Sequence, residues 1–558
     1  DYAYDANGNI IQETHSTGQE TKNTYDKNNN IIKHAEKIAD NKYKVTEYEY
    51  DYDNNITKKS ELINKDSIVS NTDIQDDNIK LETIYEYDNM KNMVKEISPG
   101  GVVTNYTFNK LNKQIKRVVS KEAKNITEEK KYDNVGNIIS EIDANGNVTT
   151  YEYNKLNYLT KKTQANNVIT QYEVDLCGNT IKEILPNQIE TNNYTIYEYD
   201  KNGLKIKMVK NLGTTNITTL YTYDKMGNVL SETTEEIGTA YTYNKAGQPV
   251  TFTDKNGNTT TYEYDVNLNK TAEINPKNTK TVYTYDSNNK ELTQTIDGVL
   301  QRENTYDLIG NLTSSKDQLG KIILYEYDNN GNKIKEIEQY ETIFKYDLDK
   351  NVIKKINSNQ KENIYVYDIL GNIIQETEQK TDNTQSITIS KEFDNLSNLI
   401  KETDANGNVT EYTYNIFNKV ASEKNAKNQI TKYDYDNNGN IIGETNYLGN
   451  TIKYVYDSLD RLVEKINEYG QRIEKLEYDV YGRQIKSIDA NENATEYTYD
   501  KAGNVLSKKD AEGYTEYFEY DVIGNKVKYT NKNGATTKYF YTNKGELSKV
   551  VNALGEVT

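Results

Sequence analysis

Apolar and polar residues alternate along short stretches of this chain, and similar stretches return throughout it. The clearest example is Val148-Thr149-Thr150-Tyr151-Glu152-Tyr153. Alternation with a period of two is typical of a β-strand, because successive side chains point to opposite faces of a sheet. Tyrosine and threonine also suit a pleated, partly covered surface. The pattern predicts a strand with both tyrosines on one face and Glu152 on the other.

A Tyr-Asp pair, sometimes Tyr-Asn or Phe-Asp, ends each of these stretches and marks a regular period. Tyr264, Tyr285, Tyr306 and Tyr327 follow one another every 21 residues. A fixed period of this length is the signature of a repeat protein, in which one small structural unit contacts mainly its neighbours. We therefore predict a repeat architecture along the whole chain.

Two turn signals divide each period. The first begins directly after Tyr132 and reads Asp133-Asn134-Val135-Gly136. The second begins ten residues later and reads Asp143-Ala144-Asn145-Gly146. Asp or Asn favours the first position of a type I turn, and Gly favours the fourth. We call the first the anchor turn and the second the return turn. Each period is thus predicted to be one β-hairpin, and about 25 consecutive hairpins are expected to form one long antiparallel sheet strip in an all-β protein.

Two regions interrupt the period. The spacing lengthens in residues 51–87, where an eroded repeat is favoured over a long loop, and again in residues 174–199. No linker or low-complexity segment divides the chain, so residues 1–558 are expected to form one continuous domain. Both ends fall inside a repeat, which suggests an internal segment of a larger protein.

The composition favours a hollow structure over a compact solid. Hydrophobic residues make up 35% of the chain, the mean hydropathy is −0.93 and tryptophan is absent, whereas there are 51 tyrosines. A globular domain of this length needs a thick apolar core, but a single curved sheet needs much less. We therefore expect the strip to spiral into a shell or tube.

The charge pattern argues against nucleic acid as a partner. The net charge is −18, and 86 acidic and 68 basic residues are mixed along every repeat. Phosphate binding requires clustered positive charge, and no Lys/Arg block occurs. No run of apolar residues is long enough to span a membrane as a helix.

The residues needed for catalysis are scarce or repeated. His15 and His34 are the only histidines and Cys177 is the only cysteine, so no intrachain disulfide forms. Carboxylate pairs such as Glu141 with Asp143 can act as general acid and base, but similar pairs occur in many repeats, as in Glu402 with Asp404. A catalytic pair is expected to be singular, so we predict a protein without enzymatic activity.

No metal or cofactor site is predicted. The Asp-Ala-Asn-Gly-Asn turns at Asp143 and Asp404 place glycine at the fourth position, whereas a calcium-binding EF-hand loop needs it at the sixth with a glutamate at the twelfth. A type I turn accounts for these residues. No phosphate-binding glycine-rich loop occurs.

Stacked hairpins would align the tyrosines into ladders, which are the candidate binding or structural sites. Packing on neighbouring hairpins explains them most simply, at roughly 0.2–1 kcal/mol for each cross-strand pair. Exposed rings would instead offer flat faces to sugars or to segments of a polypeptide. The candidate residues are Tyr151, Tyr153, Tyr412, Tyr414, Tyr497, Tyr499, Tyr517 and Tyr520.

The motif Tyr-x-Tyr-Asp-x-x-Gly-Asn, followed by Asp-x-x-Gly-Asn and an extended return, closely resembles the YD repeat of rearrangement-hotspot (RHS) proteins. Representative stretches begin at Tyr221 and at Asp404. Relatives include bacterial wall-associated and polymorphic-toxin proteins, cocoon components of insecticidal toxin complexes, and teneurins. The resemblance implies a sheet strip that spirals into a hollow shell, which in toxin members encloses a C-terminal effector. Those members end in a core rich in Asp-Pro-x-Gly, and no Asp-Pro pair occurs here.

The sequence leaves two roles open. The first is a non-catalytic structural shell of a secreted or cell-surface bacterial RHS protein, which encloses or presents a C-terminal toxin or effector. The alternative is an extracellular fibre or adhesin whose repeats act as a spacer, bind surface glycans or a receptor, and self-associate into filaments. Both place the chain outside the cell or on the cell wall, and a glycan-processing enzyme is the weakest alternative.

Overall fold

A computed structural model describes residues 1–64, 78–189, 191–213, 215–338, 340–358, 361–379 and 386–558. These residues form 50 β-strands in one antiparallel sheet, and each strand pairs with the next strand in the chain. The predicted all-β strip of about 25 hairpins is therefore confirmed. Two short 3-10 helices lie at Ala165–Asn167 and Pro186–Gln188.

We divide the strip into a first coil, residues 1–306, and a second coil, residues 307–558. The strands of the first coil are β1 Tyr2–Tyr4, β2 Ile10–Thr14, β3 Glu20–Tyr25, β4 Ile31–Ala39, β5 Lys42–Tyr50, β6 Ile56–Asn64, β7 Asn78–Tyr87, β8 Met93–Ile97, β9 Val103–Phe108, β10 Gln114–Lys121, β11 Lys124–Tyr132, β12 Ile138–Ile142, β13 Val148–Tyr153, β14 Leu159–Gln164, β15 Val168–Val174, β16 Thr180–Ile184, β17 Tyr194–Tyr199, β18 Lys205–Asn211, β19 Asn216–Tyr223, β20 Val229–Thr234, β21 Ile237–Tyr243, β22 Pro249–Thr253, β23 Thr259–Tyr264, β24 Lys270–Ile274, β25 Lys280–Tyr285, β26 Glu291–Ile296 and β27 Val299–Tyr306.

The second coil continues the same meander. Its strands are β28 Leu312–Asp317, β29 Ile322–Tyr327, β30 Lys333–Ile337, β31 Glu341–Tyr346, β32 Val352–Asn357, β33 Glu362–Tyr367, β34 Ile373–Gln379, β35 Ser386–Phe393, β36 Leu399–Thr403, β37 Val409–Tyr414, β38 Val420–Lys424, β39 Ile430–Tyr435, β40 Ile441–Thr445, β41 Thr451–Tyr456, β42 Leu462–Ile466, β43 Arg472–Tyr478, β44 Gln484–Asp489, β45 Ala494–Tyr499, β46 Val505–Lys509, β47 Thr515–Tyr520, β48 Lys526–Thr530, β49 Thr536–Tyr541 and β50 Leu547–Val551.

A β-bulge accompanies the tyrosine that ends each period. Glu152 pairs with Lys161 but Tyr153 pairs with Leu159, so one extra residue stands opposite the Tyr-Asp end of the strand. The same shift occurs at Tyr264 and at Tyr499. Bulges bend a strand and increase its twist. Their regular recurrence beside the anchor turns contributes a curvature that adds up along the strip.

The strip has few fully buried side chains. Ile63, Ile79 and Leu81 form a small buried cluster between the long strands β6 and β7. Most other strand residues are half-buried on one face and exposed or half-buried on the other. The structure is therefore stabilised by contacts between neighbouring hairpins rather than by a thick core, as the low apolar content indicated.

The two irregular regions differ in structure. In residues 51–87, part of the extra length belongs to the long strands β6 and β7. The rest belongs to residues 65–77, which lie outside the described residues, so the prediction of an eroded repeat in preference to a long loop stays a prediction there. In residues 174–199, the 3-10 helix Pro186–Gln188 takes the place of the usual return turn between β16 and β17. In the described ranges, no helix is long and apolar enough to cross a membrane.

Candidate functional site: the tyrosine ladder and the edges of the strip

The anchor turn is closed by hydrogen bonds that account for its motif. Asp133 Oδ1 accepts from the backbone N–H groups of Val135 at 3.0 Å and Asn137 at 2.9 Å, and Asp133 Oδ2 accepts from Asn137 Nδ2 at 2.8 Å. Gly136 has φ of 97°, a left-handed conformation that glycine adopts without strain. Each recurring position of Asp-x-x-Gly-Asn therefore has a local structural role.

Return turns use the same geometry. Asp404 Oδ1 accepts from the N–H groups of Asn406 and Asn408 at 2.8 Å each, and its Oδ2 accepts from Asn408 Nδ2 at 2.8 Å. Asp143 makes the equivalent bonds. The carboxylates of these two turns thus already accept hydrogen bonds from N–H donors. In the described ranges, no cluster of three or more His, Cys, Asp or Glu residues is arranged to hold a metal ion.

These hydrogen bonds lower the pKa of the turn aspartates. The side chain of Asn228 lowers the pKa of Asp224 most strongly, and Asn408 does the same to Asp404. Donors that favour the charged carboxylate stabilise it relative to the neutral acid. The turns are therefore most stable when their aspartates are ionised.

The tyrosine that precedes each anchor turn joins its hairpin to the preceding one. Tyr153 Oη donates at 2.8 Å to the carbonyl of Ile138, and Ile138 is the first strand residue after the preceding anchor turn. Tyr414 bonds to the carbonyl of Leu399 at 2.8 Å in the same way. Burial raises the pKa of both phenols. The anchor tyrosines thus form rungs between successive hairpins.

A second row of tyrosines lies two residues earlier on the same face. Tyr151 Oη donates to Glu141 Oε2 at 2.6 Å, and burial together with this carboxylate raises the pKa of Tyr151 well above its usual range. Tyr454 bonds to Glu444 at 3.0 Å, and burial and this bond raise its pKa to about 12. Tyr412 is also half-buried, and burial raises its pKa.

The candidates near the C-terminal end divide between the two faces. Tyr497 and Tyr499 are half-buried on the ladder face, and Tyr499 Oη donates to the carbonyl of Gln484 at 2.6 Å. Tyr520 is also half-buried there, but Tyr517 lies three residues away and is 55% exposed on the opposite face. Phe518 occupies the ladder position instead of Tyr517, because only residues two apart share a face of a strand.

The opposite face contains a second set of pairs that the sequence reasoning missed. Glu152, between the two tyrosines, bonds to Lys161 nine residues later at 2.8 Å. Where threonine takes this position, the partner is a hydroxyl: Thr222 lies 2.6 Å from Ser231. In many repeats the residue between two tyrosines and the residue nine positions later change together, as in Glu198 with Lys207 and Thr413 with Ser422, although Glu263 faces Ala272. This correlated change is visible in the sequence.

Contacts across the strip's edges join the two coils. Asn145 in the return turn between β12 and β13 donates through Nδ2 to Asp394 Oδ2 at 2.9 Å, in the anchor turn between β35 and β36, 249 residues later. Asn395 of that anchor turn donates back to the carbonyl of Ala144 at 3.1 Å. Asn256 makes the equivalent bond to Asp500 at 3.0 Å. We call this line of contact the seam.

The seam extends along most of both coils, and it joins return turns of the first coil to anchor turns of the second. The residues that meet are Gln19 with Leu308, Gly100 with Asp349, Asn145 with Asp394, Asn187 with Asp436, Asn256 with Asp500, Lys277 with Asp521, and Asp297 with Asn543. Polar side-chain bonds thus hold one coil on the next, and the strip spirals as predicted.

A cavity of about 750 Å³ lies along this seam. Val102 of the first coil and Leu370 of the second are among the residues that line it. Gly100 lies beside the same contact, and a Cβ atom there would stand 1.9 Å from Asp349 Oδ2. A Cβ atom at this position would therefore displace the Asp349 carboxylate.

The scarce reactive residues are not brought together. His15 Nε2 lies 3.1 Å from Glu13, whereas His34 Nδ1 lies 2.7 Å from Asn23 Oδ1 in a neighbouring hairpin. Cys177 is exposed in an anchor turn. Glu141 serves as the acceptor for Tyr151. These surroundings are typical of structural and surface residues.

Comparisons with known proteins agree with the repeat pattern. Residues 418–558 match the family model of the teneurin YD-shell, and residues 132–169 and 243–277 match that of the RHS repeat. No curated protein matches the chain by sequence.

Solved structures share the fold over nearly the whole chain. The TcdB2-TccC3-TEV crystal structure is 12% identical with a TM-score of 0.69, covering 95% of this chain and 40% of that one. A Tc holotoxin pore from Photorhabdus luminescens is 11% identical with a TM-score of 0.68, covering 99% and 37%. This chain thus spans about two fifths of their length. The resemblance to RHS and YD-shell proteins is confirmed, by these segments in sequence and over almost all of the chain in fold.

Proposed function

We propose that the chain forms part of the wall of a shell that encloses a polypeptide effector of the same protein, outside the cell or on its surface. The seam between the coils carries this proposal. Backbone hydrogen bonds make the sheet continuous along each coil, and the bonds from Asn145 and Asn256 make it continuous from one coil to the next. A wall that is continuous in both directions is suited to separating its contents from solvent.

The ladder face is the proposed inner surface. Side chains converge on the concave face of a curved sheet, and the ladder positions Tyr151 and Tyr153 are half-buried whereas Glu152 is exposed. Half-covered aromatic rings offer weak, unspecific contacts to an extended polypeptide, and tyrosine combines an apolar body with a polar tip. The opposite face, with its Glu152–Lys161 pairs, suits contact with solvent.

The bonding of the ladder favours a shell over an adhesin. Tyr153 and Tyr414 use their hydroxyl groups to bond neighbouring hairpins, so these groups serve the wall itself. A ladder that binds glycans would present free hydroxyls and uncovered rings.

Protection of an attached peptide from protease tests the proposal. An unstructured reporter with one protease site is appended after Thr558, and an identical reporter precedes Asp1 in a second protein. We expect slower cleavage of the C-terminal reporter than of the free peptide, and faster cleavage when Gly100→Ala and Asp394→Ala open the seam. Cleavage of the C-terminal reporter at the rate of the free peptide in the chain without these substitutions would contradict enclosure.

A further inference from the structure

Two of the return turns at the seam contain an Asn-Gly pair whose asparagine makes the contact between the coils. Asn145 donates through Nδ2 to Asp394 Oδ2 at 2.9 Å. Asn256 donates through Nδ2 to Asp500 Oδ2 at 3.0 Å, and its Oδ1 accepts from the N–H group of Ala502 at 3.0 Å. Each amide side chain therefore supplies a hydrogen-bond donor that an ionised carboxylate at the same position would lack.

An asparagine that precedes glycine is open to attack by its own backbone. The glycine nitrogen bonds to Cγ of the asparagine, its proton passes to the side-chain amide, and that amide leaves as ammonia, which closes a cyclic succinimide. Water then opens the ring to aspartate or isoaspartate, so the net change is the gain of water and the loss of ammonia. Glycine favours the attack because it has no Cβ atom to hinder the close approach of its nitrogen. Asn145 and Asn256 are both exposed, so water reaches them.

Two hydrogen bonds restrain the groups that would react at Asn145. The Gly146 N–H group donates to the carbonyl of Asp143 at 2.9 Å, which engages the attacking nitrogen. The amide of Asn145, which would leave, is held on Asp394. The first restraint belongs to the turn itself, whereas the second exists only while the coils are in contact.

The chain contains an internal comparison for the second restraint, because the same seven residues occur in two surroundings. Residues 143–149 and residues 404–410 both read Asp-Ala-Asn-Gly-Asn-Val-Thr. Gly146 and Gly407 each donate to the carbonyl of the aspartate that begins the turn, at 2.9 Å and 3.0 Å. The backbone of Asn406 bonds within its turn, and its side chain makes no hydrogen bond to a residue that the structure describes. The two sites thus share sequence and turn geometry, and the seam bond is the difference between them.

We propose that Asn145 and Asn256 are modification sites, where contact between the coils slows deamidation and where deamidation, once it has occurred, opens the seam. Bringing Cγ of Asn145 to the glycine nitrogen turns its amide away from Asp394, so the seam bond opposes the attack. The product places a second carboxylate opposite Asp394, and like charges at this distance repel. Each modified site therefore removes an attraction between the coils and adds a repulsion. A consequence for an enclosed effector rests on the proposed function, whereas the modification itself does not.

Peptide mapping by mass spectrometry, over days at mildly alkaline pH, measures deamidation at each site of the intact chain. We expect the Asn145 site to react about tenfold more slowly than the Asn406 site, because a hydrogen bond to a charged group must first break. In an Asp394→Ala variant the Asn145 site should react as fast as the Asn406 site, and the rate at Asn406 should not change. Equal rates at the two sites in the unaltered chain, or an Asn145 site that stays slow in the variant, would overturn the proposal.

Substitution tests whether the product opens the seam. Asn145→Asp should speed hydrogen exchange in the return turn between β12 and β13 and in the anchor turn between β35 and β36, whereas the matched control Asn406→Asp should leave both turns protected. Asn145→Asp combined with Asp394→Asn exchanges the two groups and should regain protection, because an anchor turn can begin with asparagine: Asn415 Oδ1 accepts from two N–H groups of its own turn. An unchanged seam in Asn145→Asp, or a double variant no better protected than the single one, would overturn the proposal. Neither measurement uses an enclosed peptide, so a failure here is distinct from a failure of the reporter experiment.

Discussion

The anchor turns of the two coils have the same motif and the same internal hydrogen bonds, yet they lie in different surroundings. Asp133 in the first coil and Asp394 in the second both accept from a following asparagine and from two N–H groups. Only Asp394 also accepts a bond from another coil, through Asn145. Local sequence therefore determines how a turn closes, and position in the spiral determines how much that turn contributes to tertiary structure.

Acid is expected to have the largest effect, because it acts on the turns of both coils together. In the folded chain the pKa of Asp224 and of Asp404 lies below the ordinary value of 3.8, so these groups bind protons more weakly when folded. Their stabilisation is present above the unfolded pKa and is lost as pH falls through the folded pKa. Hydrogen exchange measured from neutral pH to below about pH 4 should show falling protection of the turns.

Acid should also act on the seam that joins the two coils. Burial opposes the lowered pKa of Asp394, but Asn398 and Asn145 both donate to its carboxylate and lower it. Protonation of Asp394 breaks the bond from Asn145 together with those of the turn, so the seam should open there at the same pH as that turn. Retained protection on both sides of the seam at a pH where the turns have lost theirs would contradict this assignment.

Removing single carboxylates is expected to have the next largest effect. Asp394→Ala leaves N–H donors of its own turn and Asn145 without an acceptor, and should lower the local free energy of unfolding by about 2–3 kcal/mol, since bonds to charged groups are among the stronger ones. Asp133→Ala is the matched control and should cost less, because its turn lies at no seam. Hydrogen exchange of the flanking strands measures both, and equal losses would show that the seam bond contributes nothing.

Separating the coils without removing the carboxylate that closes a turn should have a smaller effect. Gly100→Ala places a Cβ atom 1.9 Å from Asp349 Oδ2 and so displaces the bond of 2.8 Å from the Gly100 N–H group to Asp349 Oδ1. We expect a loss of about 1–2 kcal/mol in the stability of the seam. In an Asp349→Ala background the added methyl group meets no carboxylate, so Gly100→Ala should cost little there. If Gly100→Ala lowered the stability of the seam equally in both backgrounds, the added methyl group would act through a contact other than Asp349.

The tyrosine rungs should affect both coils alike, with the smallest change. Tyr153→Phe and Tyr414→Phe each remove one hydroxyl bond to a carbonyl of the preceding hairpin, while the rings keep their packing. Each should cost about 1 kcal/mol locally. Because repeat stacks are held by nearest neighbours, loss of hydrogen-exchange protection should stay near the altered hairpin. A markedly larger effect in one coil would mean that the rung also supports the seam.

The sequence determined the repeating unit because the hydrogen bonds that form this unit join residues close together in the chain. The bonds from Asp133 to Asn137 span five residues, and the rung from Tyr153 to Ile138 spans less than one period, so alternation and turn motifs were enough to predict hairpins and a ladder. The pairing of Glu152 with Lys161 was visible in the same pattern but was missed. Tyr517 was assigned to the ladder although its distance of three residues from Tyr520 places it on the other face.

Only the tertiary structure decided which turns meet. Asn145 and Asp394 are 249 residues apart, and nothing in their turn motifs specifies that distance. The curvature of the strip is the sum of small twists and bulges over many strands, and a slight change in each would bring a different pair of turns together. For the same reason Val135 is exposed while Leu396 is half-buried at the same motif position: the motif sets the turn, and the accumulated curvature sets what lies against it.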